Sequence, residues 1–159
     1  MQKYDYVELK LPAKAQYIGV ARLALSGIAN RIGFSYEAIE DLKIAMSEAV
    51  TNAVEHAYSD SAQSGEVVIG CGLYEDRIEI MVADEGKSFD FEEVRETTGP
   101  YDELVDAEVL REGGLGLYLM EALMDEVRFH HEEGVTVFMT KYLDKERGDE
   151  NVKEQQIFS

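Results

Sequence analysis

The chain has 159 residues, of which 45% are hydrophobic, and its formal net charge is −18. This length fits one domain that can bury a full core, and the acidic charge disfavours binding to nucleic acid or to an anionic membrane. Because no apolar run approaches the roughly 20 residues of a membrane span and the N-terminal MQKYDYVELK lacks the apolar region of a signal peptide, we expect a cytoplasmic domain.

The first part of the chain predicts a strand followed by two helices. Residues 6–13, YVELKLPA, alternate apolar and polar side chains and meet Pro12, which is typical of an edge strand. Gly33 is placed to end the first helix, and Ser35 is placed to cap a second helix that runs to about residue 57. The stripes predicted to enter the core are Ile18, Ala21, Leu25, Ile28 and Ile32 in the first helix, and Ile39, Leu42, Met46, Ala49 and Ala53 in the second.

The second part predicts two hairpins that flank a third helix. EVVIGCGLY and RIEIMVAD are strands joined at Glu75-Asp76, with the single cysteine, Cys71, as a buried thiol that has no disulfide partner in the chain. Residues 89–112 carry nine carboxylates and indicate a mobile lid or insert, GGLGLYLMEALMDE opens a helix, and VRFHHEEGVTVFMTKYL gives two more strands. This order predicts an α+β fold, a two-layer sandwich whose mixed, mostly antiparallel sheet has helices on one face.

The second predicted helix carries a polar ladder, Glu48, Asn52 and His56, within SEAVTNAVEH. Residues four apart share one face of a helix and lie roughly 6 Å apart along its axis, so these side chains line one edge beside the apolar stripe. One interpretation is a polar flank held by side-chain hydrogen bonds, which fits His56 best. The other is a metal and catalytic edge, because the amide oxygen of Asn52 suits Mg²⁺ and the carboxylate of Glu48 can accept a proton from an attacking hydroxyl.

Two glycine-containing motifs are candidates for a nucleotide site. GGLGL, residues 113–117, opens a predicted helix, whose N-terminus offers unpaired N–H groups and a positive dipole end to a phosphate. Asp84-Glu85-Gly86 ends a strand, where a carboxylate can accept a hydrogen bond from an amino group such as that of adenine. Each motif also fits a plain turn. The Gly-Lys-Ser in EGKSF is not a P-loop, because Met81 stands where a P-loop has its first glycine.

The order of these signals is more specific than any one of them. E-x-x-x-N on a helix, D-x-G after a strand, G-G-x-G opening a helix and a threonine in the last strand, Thr140, resemble the GHKL (Bergerat) ATP-binding superfamily over residues 6–143. SEAVTNAVEHAY, VADEGKSFDF and EGGLGLYLMEALMDEV are similar, within it, to the anti-sigma factor serine kinases of the general stress response in Bacillus-type bacteria. The resemblance implies one ATP-binding kinase domain over residues 1–143, with a lid at about 87–112 and a flexible charged tail at 144–159.

The resemblance implies roles for the matching positions. Glu48 is implied as the general base or water-positioning residue, and Asn52 as the ligand of a Mg²⁺ ion that bridges the ATP phosphates. Asp84 is implied to pair with the adenine amine, with Gly86 and Thr140 nearby. The backbone N–H groups implied to face the phosphates are those of Gly113, Gly114, Leu115 and Gly116.

Two positions depart from the family pattern. Ser88 stands where D-x-G-x-G has its second glycine, and Glu112 stands where some members carry a basic residue before the second glycine box. Arg111 and Lys87 are therefore the candidates for neutralising charge at the γ-phosphate.

For function, the resemblance implies a serine-protein kinase and anti-sigma factor that uses ATP and Mg²⁺ and forms a homodimer. Such a protein binds and sequesters the general-stress sigma factor, and it phosphorylates a serine of the anti-sigma factor antagonist. Arg22, on the first helix opposite its apolar stripe, is the candidate for partner binding, although it also fits a plain solvated arginine.

Two alternatives remain at this point. One is a non-catalytic, ATP-dependent partner-binding module, against which Glu48 argues because it has no evident structural duty. The other is a fragment of a histidine kinase, against which the lack of a phosphoacceptor histidine box in the sequence argues.

Overall fold

A computed structural model describes residues 4–60, 65–84, 115–130 and 136–143 of the chain. The strands of this part are β1 (Asp5–Pro12), β2 (Glu66–Leu73), β3 (Arg77–Ala83), β4 (Glu126–His130) and β5 (Thr136–Tyr142). The helices are α1 (Ile18–Ile32), α2 (Tyr36–Asp60) and α3 (Leu115–Leu123), with a 3-10 turn at Ala15–Tyr17 before α1. The predicted lid, residues 87–112, and the predicted tail, residues 144–159, lie outside the described residues.

The strands form a single sheet in the order β1-β2-β3-β5-β4. Every pairing between neighbouring described strands is antiparallel, so the sheet that was predicted as mixed is antiparallel throughout this part of the chain. β1 lies at one edge, as the alternation and Pro12 predict, and β2 and β3 form the predicted hairpin. The predicted α+β architecture is therefore confirmed.

Capping residues explain where α1 ends and where α2 begins. Gly33 has a φ of 109°, in the left-handed region where glycine is favoured, and its N–H donates to the carbonyl oxygen of Ala29. The N–H of Ala38 donates to Oγ of Ser35 at 3.2 Å, which is the predicted N-terminal cap. The second helix is three residues longer than predicted, since it extends to Asp60.

The core lies between the helices and one face of the sheet. α2 packs against β2 and β3, with α1 and α3 against its flanks. Both predicted helix stripes enter this core, and the sheet contributes alternate residues of its strands. The buried sheet residues on this face are Val67, Ile69 and Cys71 of β2, Ile78, Ile80 and Val82 of β3, and Val137 and Met139 of β5. Burial raises the pKa of the Cys71 thiol to about 12, so the thiol stays protonated and buried as predicted.

The opposite face of the sheet holds a buried ionic and aromatic cluster. Nε of Arg77 donates to the Glu79 carboxylate at 2.9 Å, and an Nη atom of Arg77 lies 2.7 Å from Oδ1 of Asp76. The Arg77 guanidinium also stacks 3.9 Å from the centre of the Tyr74 ring. Burial alone would lower the pKa of Arg77, but its bonds to the two carboxylates more than offset this and raise it. Paired charges and a stacked aromatic ring therefore fill this part of the opposite sheet face.

No helix in the described part of the chain is long and apolar enough to cross a membrane.

Candidate functional site

The polar edge of α2 is the first part of the candidate site. Glu48 and Asn52 are both half-buried and lie one helical turn apart. Next to them, Oγ of Ser47 donates to the carbonyl oxygen of Lys43 at 2.6 Å and Oγ1 of Thr51 donates to that of Ser47 at 2.8 Å, so both hydroxyl groups bond within α2. Because they are four residues apart, the carboxylate and the amide project from one side of α2. His56 also lies on α2, but its side chain is outside the described part.

The beginning of α3 is the second part. The helix begins at Leu115, inside the GGLGL motif, so Leu115 and Gly116 lie in its first turn, as predicted. The N–H groups of the first helical turn have no partner within the helix, and they form the positive end of its dipole. α3 packs directly against α2, which brings the anion-attracting element and the Glu48–Asn52 edge into one layer. The preceding residues Gly113 and Gly114 lie outside the described residues.

The end of β3 is the third part. Asp84 follows the last residue of this strand and is only 4% exposed. The alternation that turns Ile78, Ile80 and Val82 toward the helices places position 84 on the same side of the sheet. A buried carboxylate on the helix side suits recognition of an amino group. Gly86, the glycine of the same motif, lies outside the described residues.

Thr140 is not brought to this site, which corrects the expectation that it lies near Asp84. It pairs with Glu79 on β3 and with Glu126 on β4, and the same alternation turns it to the sheet face that is opposite the helices. The threonine at the Asp84 end of the sheet is Thr136, which pairs with Ala83. The two threonines are four positions apart, roughly 13 Å along a strand. The sequence pattern supplied a threonine in the last strand, but only the register selects which threonine lies at that end.

Arg22 lies on the exposed side of α1, as predicted. Its neighbour Leu23 is 77% exposed, which makes it one of the most exposed large apolar residues of the described part. Sequence reasoning missed Leu23, although its position outside the apolar stripe of an amphipathic helix was a usable signal. α1 contains two arginines, Arg22 and Arg31, and no acidic residue, in a chain with a net charge of −18. The exposed side of α1 thus places one arginine next to an exposed leucine, on a helix without acidic side chains in an acidic protein.

The polar side chains of α2 fit a magnesium ion that is coordinated mainly by nucleotide phosphates and water. Among the described residues there is no cluster of three or more histidine, cysteine, aspartate or glutamate side chains that could enclose a metal. Mg²⁺ in nucleotide sites keeps several waters and takes one or two protein oxygens in addition to phosphate oxygens. A single amide oxygen such as that of Asn52 is enough for this mode of binding.

Comparison with protein families gives the decisive match. The model of the family described as "Histidine kinase-like ATPase domain" matches residues 11–141, a range that takes in α2, Asp84 and α3. The chain belongs to the histidine kinase-like ATPase family. Domains of this family are ATPase domains, so the family membership indicates ATP binding by this kinase-like chain.

The similar proteins are serine kinases. The chain is 60% identical over 149 residues to "Serine-protein kinase RsbW" of Oceanobacillus iheyensis, which covers 94% of each chain. It is 58% identical over 145 residues to the protein of the same name from Bacillus subtilis, covering 91% of this chain and 90% of the relative. A crystal structure of the RsbU and RsbW domains of a Mycobacterium tuberculosis protein matches with a TM-score of 0.61 at 26% identity, over 87% of this chain and 32% of that one.

These matches confirm two predictions from the sequence. The fold is of the GHKL type, and the enzyme class is that of a protein serine kinase. The roles of individual residues stay predictions, and they are taken up below.

Proposed function

We propose that this kinase is also an anti-sigma factor of the cytoplasm, and that it uses Mg·ATP to phosphorylate a serine of a small anti-sigma factor antagonist. The observation that carries the proposal is the extended similarity to RsbW kinases, together with a carboxylate and an amide one turn apart on α2, the helix against which α3 packs. Partner exchange follows from the two activities, because phosphorylation removes the antagonist and leaves the kinase available to sequester the general-stress sigma factor.

The nucleotide would bind between α2, α3 and the end of β3. Asn52 would supply an oxygen to Mg²⁺, which when bound neutralises charge on the phosphates. The buried Asp84 carboxylate would accept a hydrogen bond from the adenine amine, with Gly86 leaving space for the base. The N–H groups at residues 113–116 would face the phosphates, and the acidic segment 87–112 would form a lid over them.

Glu48 would act on the substrate serine. Its carboxylate accepts the proton of the serine hydroxyl while that oxygen bonds to the γ-phosphorus, and the bond from this phosphorus to the bridging oxygen breaks to release ADP. Phosphoryl transfer depends mainly on positioning and charge stabilisation. One half-buried carboxylate on α2, one helical turn from the amide of Asn52, meets this need.

The test of the kinase mechanism separates transfer from binding. With labelled ATP and the antagonist, we expect Glu48→Ala to lose phosphoserine formation while it keeps ATP binding, and Asn52→Ala to lose both. Glu55→Ala is the matched control, since Glu55 is an exposed carboxylate on the same helix. Nucleotide-dependent partner binding by the unmodified protein, without any transfer, would instead favour the non-catalytic binding module.

The exposed face of α1 is the proposed partner surface. Arg22 and Leu23 would contact an apolar and acidic patch on the sigma factor or on the antagonist, because the helix carries no acidic side chain. We expect Arg22→Glu and Leu23→Glu to weaken partner capture at least tenfold while ATP binding stays unchanged. Arg31→Glu is the control, since it makes the same charge change nine residues further on, about half a turn around the helix.

The kinase would act as a homodimer. Sedimentation equilibrium of the purified protein measures this directly, and a mass of one chain across the concentration range would contradict it. The outcome does not affect the kinase test above, which needs only the nucleotide and the antagonist.

A further inference from the structure

Lys141 is a lysine on the helix-facing side of the sheet. It follows Met139 by two positions on β5 and pairs with Ile78 of β3, so its side chain leaves the same face as these buried core residues. Its side chain is only 15% exposed. A lysine at such a position must find compensating polar partners, because burial of an ammonium group is costly.

The partners of Lys141 belong to two different helices. Its ammonium donates to the carbonyl oxygen of Leu123, the last residue of α3, at 2.7 Å. It also lies 3.9 Å from Oδ2 of Asp41 on α2. The last carbonyls of a helix have no partner within it and carry its negative end, so a cation there is stabilising. Lys141 therefore joins the C-terminal end of α3 to the flank of α2.

Asp41 shares the polar edge of α2 with the proposed site residues. It precedes Glu48 by seven residues and Asn52 by eleven, which are close to two and three full turns, so the three side chains lie within about 20° of one line along the helix. α2 begins at Tyr36, only five residues before Asp41. Because α3 packs on α2 with its C-terminal end near Asp41, it extends along α2 toward Glu48 and Asn52, and its first turn is then the part of α3 nearest to them.

We propose that Lys141 is a positioning residue for nucleotide binding, which fixes α3 along the polar edge of α2 so that the first turn of α3 faces the Glu48–Asn52 side. This inference rests on the proposed nucleotide site. Lys141 itself touches neither the nucleotide nor the reacting atoms. Its contribution is to the orientation of α3, and two further hydrogen bonds stabilise the same corner: the N–H of Asp125 donates to the carbonyl oxygen of Thr140, and the N–H of Tyr142 donates to the side-chain Oδ2 of Asp125.

The test replaces the ammonium and measures binding in the absence of turnover. Lys141→Met keeps an unbranched side chain that is one atom shorter and removes its charge, and we expect the dissociation constant for a fluorescent ATP analogue with Mg²⁺ to rise about tenfold. Hydrogen exchange of the α3 amides at residues 118–123 should accelerate in the nucleotide-free protein. In the kinase assay the KM for ATP should rise more than kcat falls, because the acting carboxylate on α2 is unchanged.

Two further variants make the result specific. Lys43→Met is the matched control: the side chain of Lys43 is 21% exposed and its ion pair with Glu40, at 3.0 Å, stays within α2, so nucleotide affinity should not change. Asp41→Asn weakens only the longer of the two contacts of Lys141, and we expect a two- to threefold loss of affinity in a folded protein, which keeps the inference testable if Lys141→Met fails to fold.

Separate outcomes would overturn the inference and the proposed site. Unchanged nucleotide affinity and α3 exchange in a folded Lys141→Met protein would exclude the positioning role. So would unchanged affinity in Asp41→Asn where Lys141→Met is unfolded. Unchanged affinity in Asn52→Ala would instead reject the nucleotide site itself, whatever Lys141 does.

Discussion

At the scale of single residues, the contact between Tyr6 and Gly70 shows how a side chain of β1 packs against β2. A Cβ atom built at Gly70 would lie 2.5 Å from the hydroxyl oxygen of Tyr6 and 3.1 Å from two of its ring atoms. The Tyr6 hydroxyl donates to the Glu8 carboxylate at 2.8 Å, and burial together with this bond raises the pKa of Tyr6. The glycine thus provides the space that the tyrosine ring occupies on an edge strand.

We predict that Gly70→Ala destabilises the protein by about 1–3 kcal/mol, because the ring must move out of its position. Tyr6→Ala removes the obstacle, so adding Gly70→Ala to it should be neutral or stabilising, since alanine is less flexible than glycine in the unfolded chain. Urea unfolding of the two single variants and the double variant measures this as a cycle. Equal effects of Gly70→Ala in both backgrounds would contradict the assigned contact.

At the scale of elements, the end of α1 fixes the turn between the first two helices. Gly33 adopts a φ of 109° and bonds back to Ala29, whereas Phe34 immediately afterwards is buried in the core. Ser35 then caps α2. The turn therefore sets the relative placement of α1, which carries the proposed partner surface, and α2, which carries Glu48 and Asn52.

We predict opposite effects for the same substitution at two glycines of this region. Gly33→Ala should cost about 1–2 kcal/mol, because an L-residue is strained at positive φ. Gly27→Ala should stabilise by about 0.5–1 kcal/mol, since Gly27 lies inside α1 and an added Cβ meets nothing within 4 Å. Thermal unfolding of both variants provides the measurement. A loss of stability in both would show that α1 is more closely packed than its exposure indicates.

At the scale of the whole molecule, the charge of −18 is the dominant feature. Self-repulsion of this size opposes the compact state, and the paired Arg77 in the sheet offsets it only locally. The same field repels a nucleotide, so binding of ATP depends on Mg²⁺ and on N–H groups at a helix terminus to compensate. On this acidic protein, α1 has two arginines and no acidic side chain, which makes it the proposed surface for an acidic partner.

We predict that screening this charge stabilises the protein. Raising NaCl from about 0.01 M to about 0.3 M shortens the Debye length from about 30 Å to below 10 Å, and the urea midpoint should therefore increase. Choline chloride at equal ionic strength should give the same increase if general screening is the cause. A midpoint that falls, or that responds to one salt alone, would show that specific ion contacts outweigh the net repulsion.

The sequence by itself determined the order of the elements, the caps at Gly33 and Ser35, the two buried helix stripes and the polar edge with Glu48 and Asn52. These features depend on side-chain periodicity and on capping within a few residues, so they can be read locally. The order of the motifs along the chain was likewise sufficient to predict the family and the enzyme class, which the comparisons confirm.

Only the tertiary structure decided which distant residues meet. The register of β3 against β5 places Thr140 beside Glu79 and away from Asp84, and the packing of α3 brings Leu123 to Lys141 and Asp41. Strand register and helix packing arise from contacts between segments far apart in sequence, where a shift of one residue turns every side chain of a strand to the other face, so no local pattern could specify them.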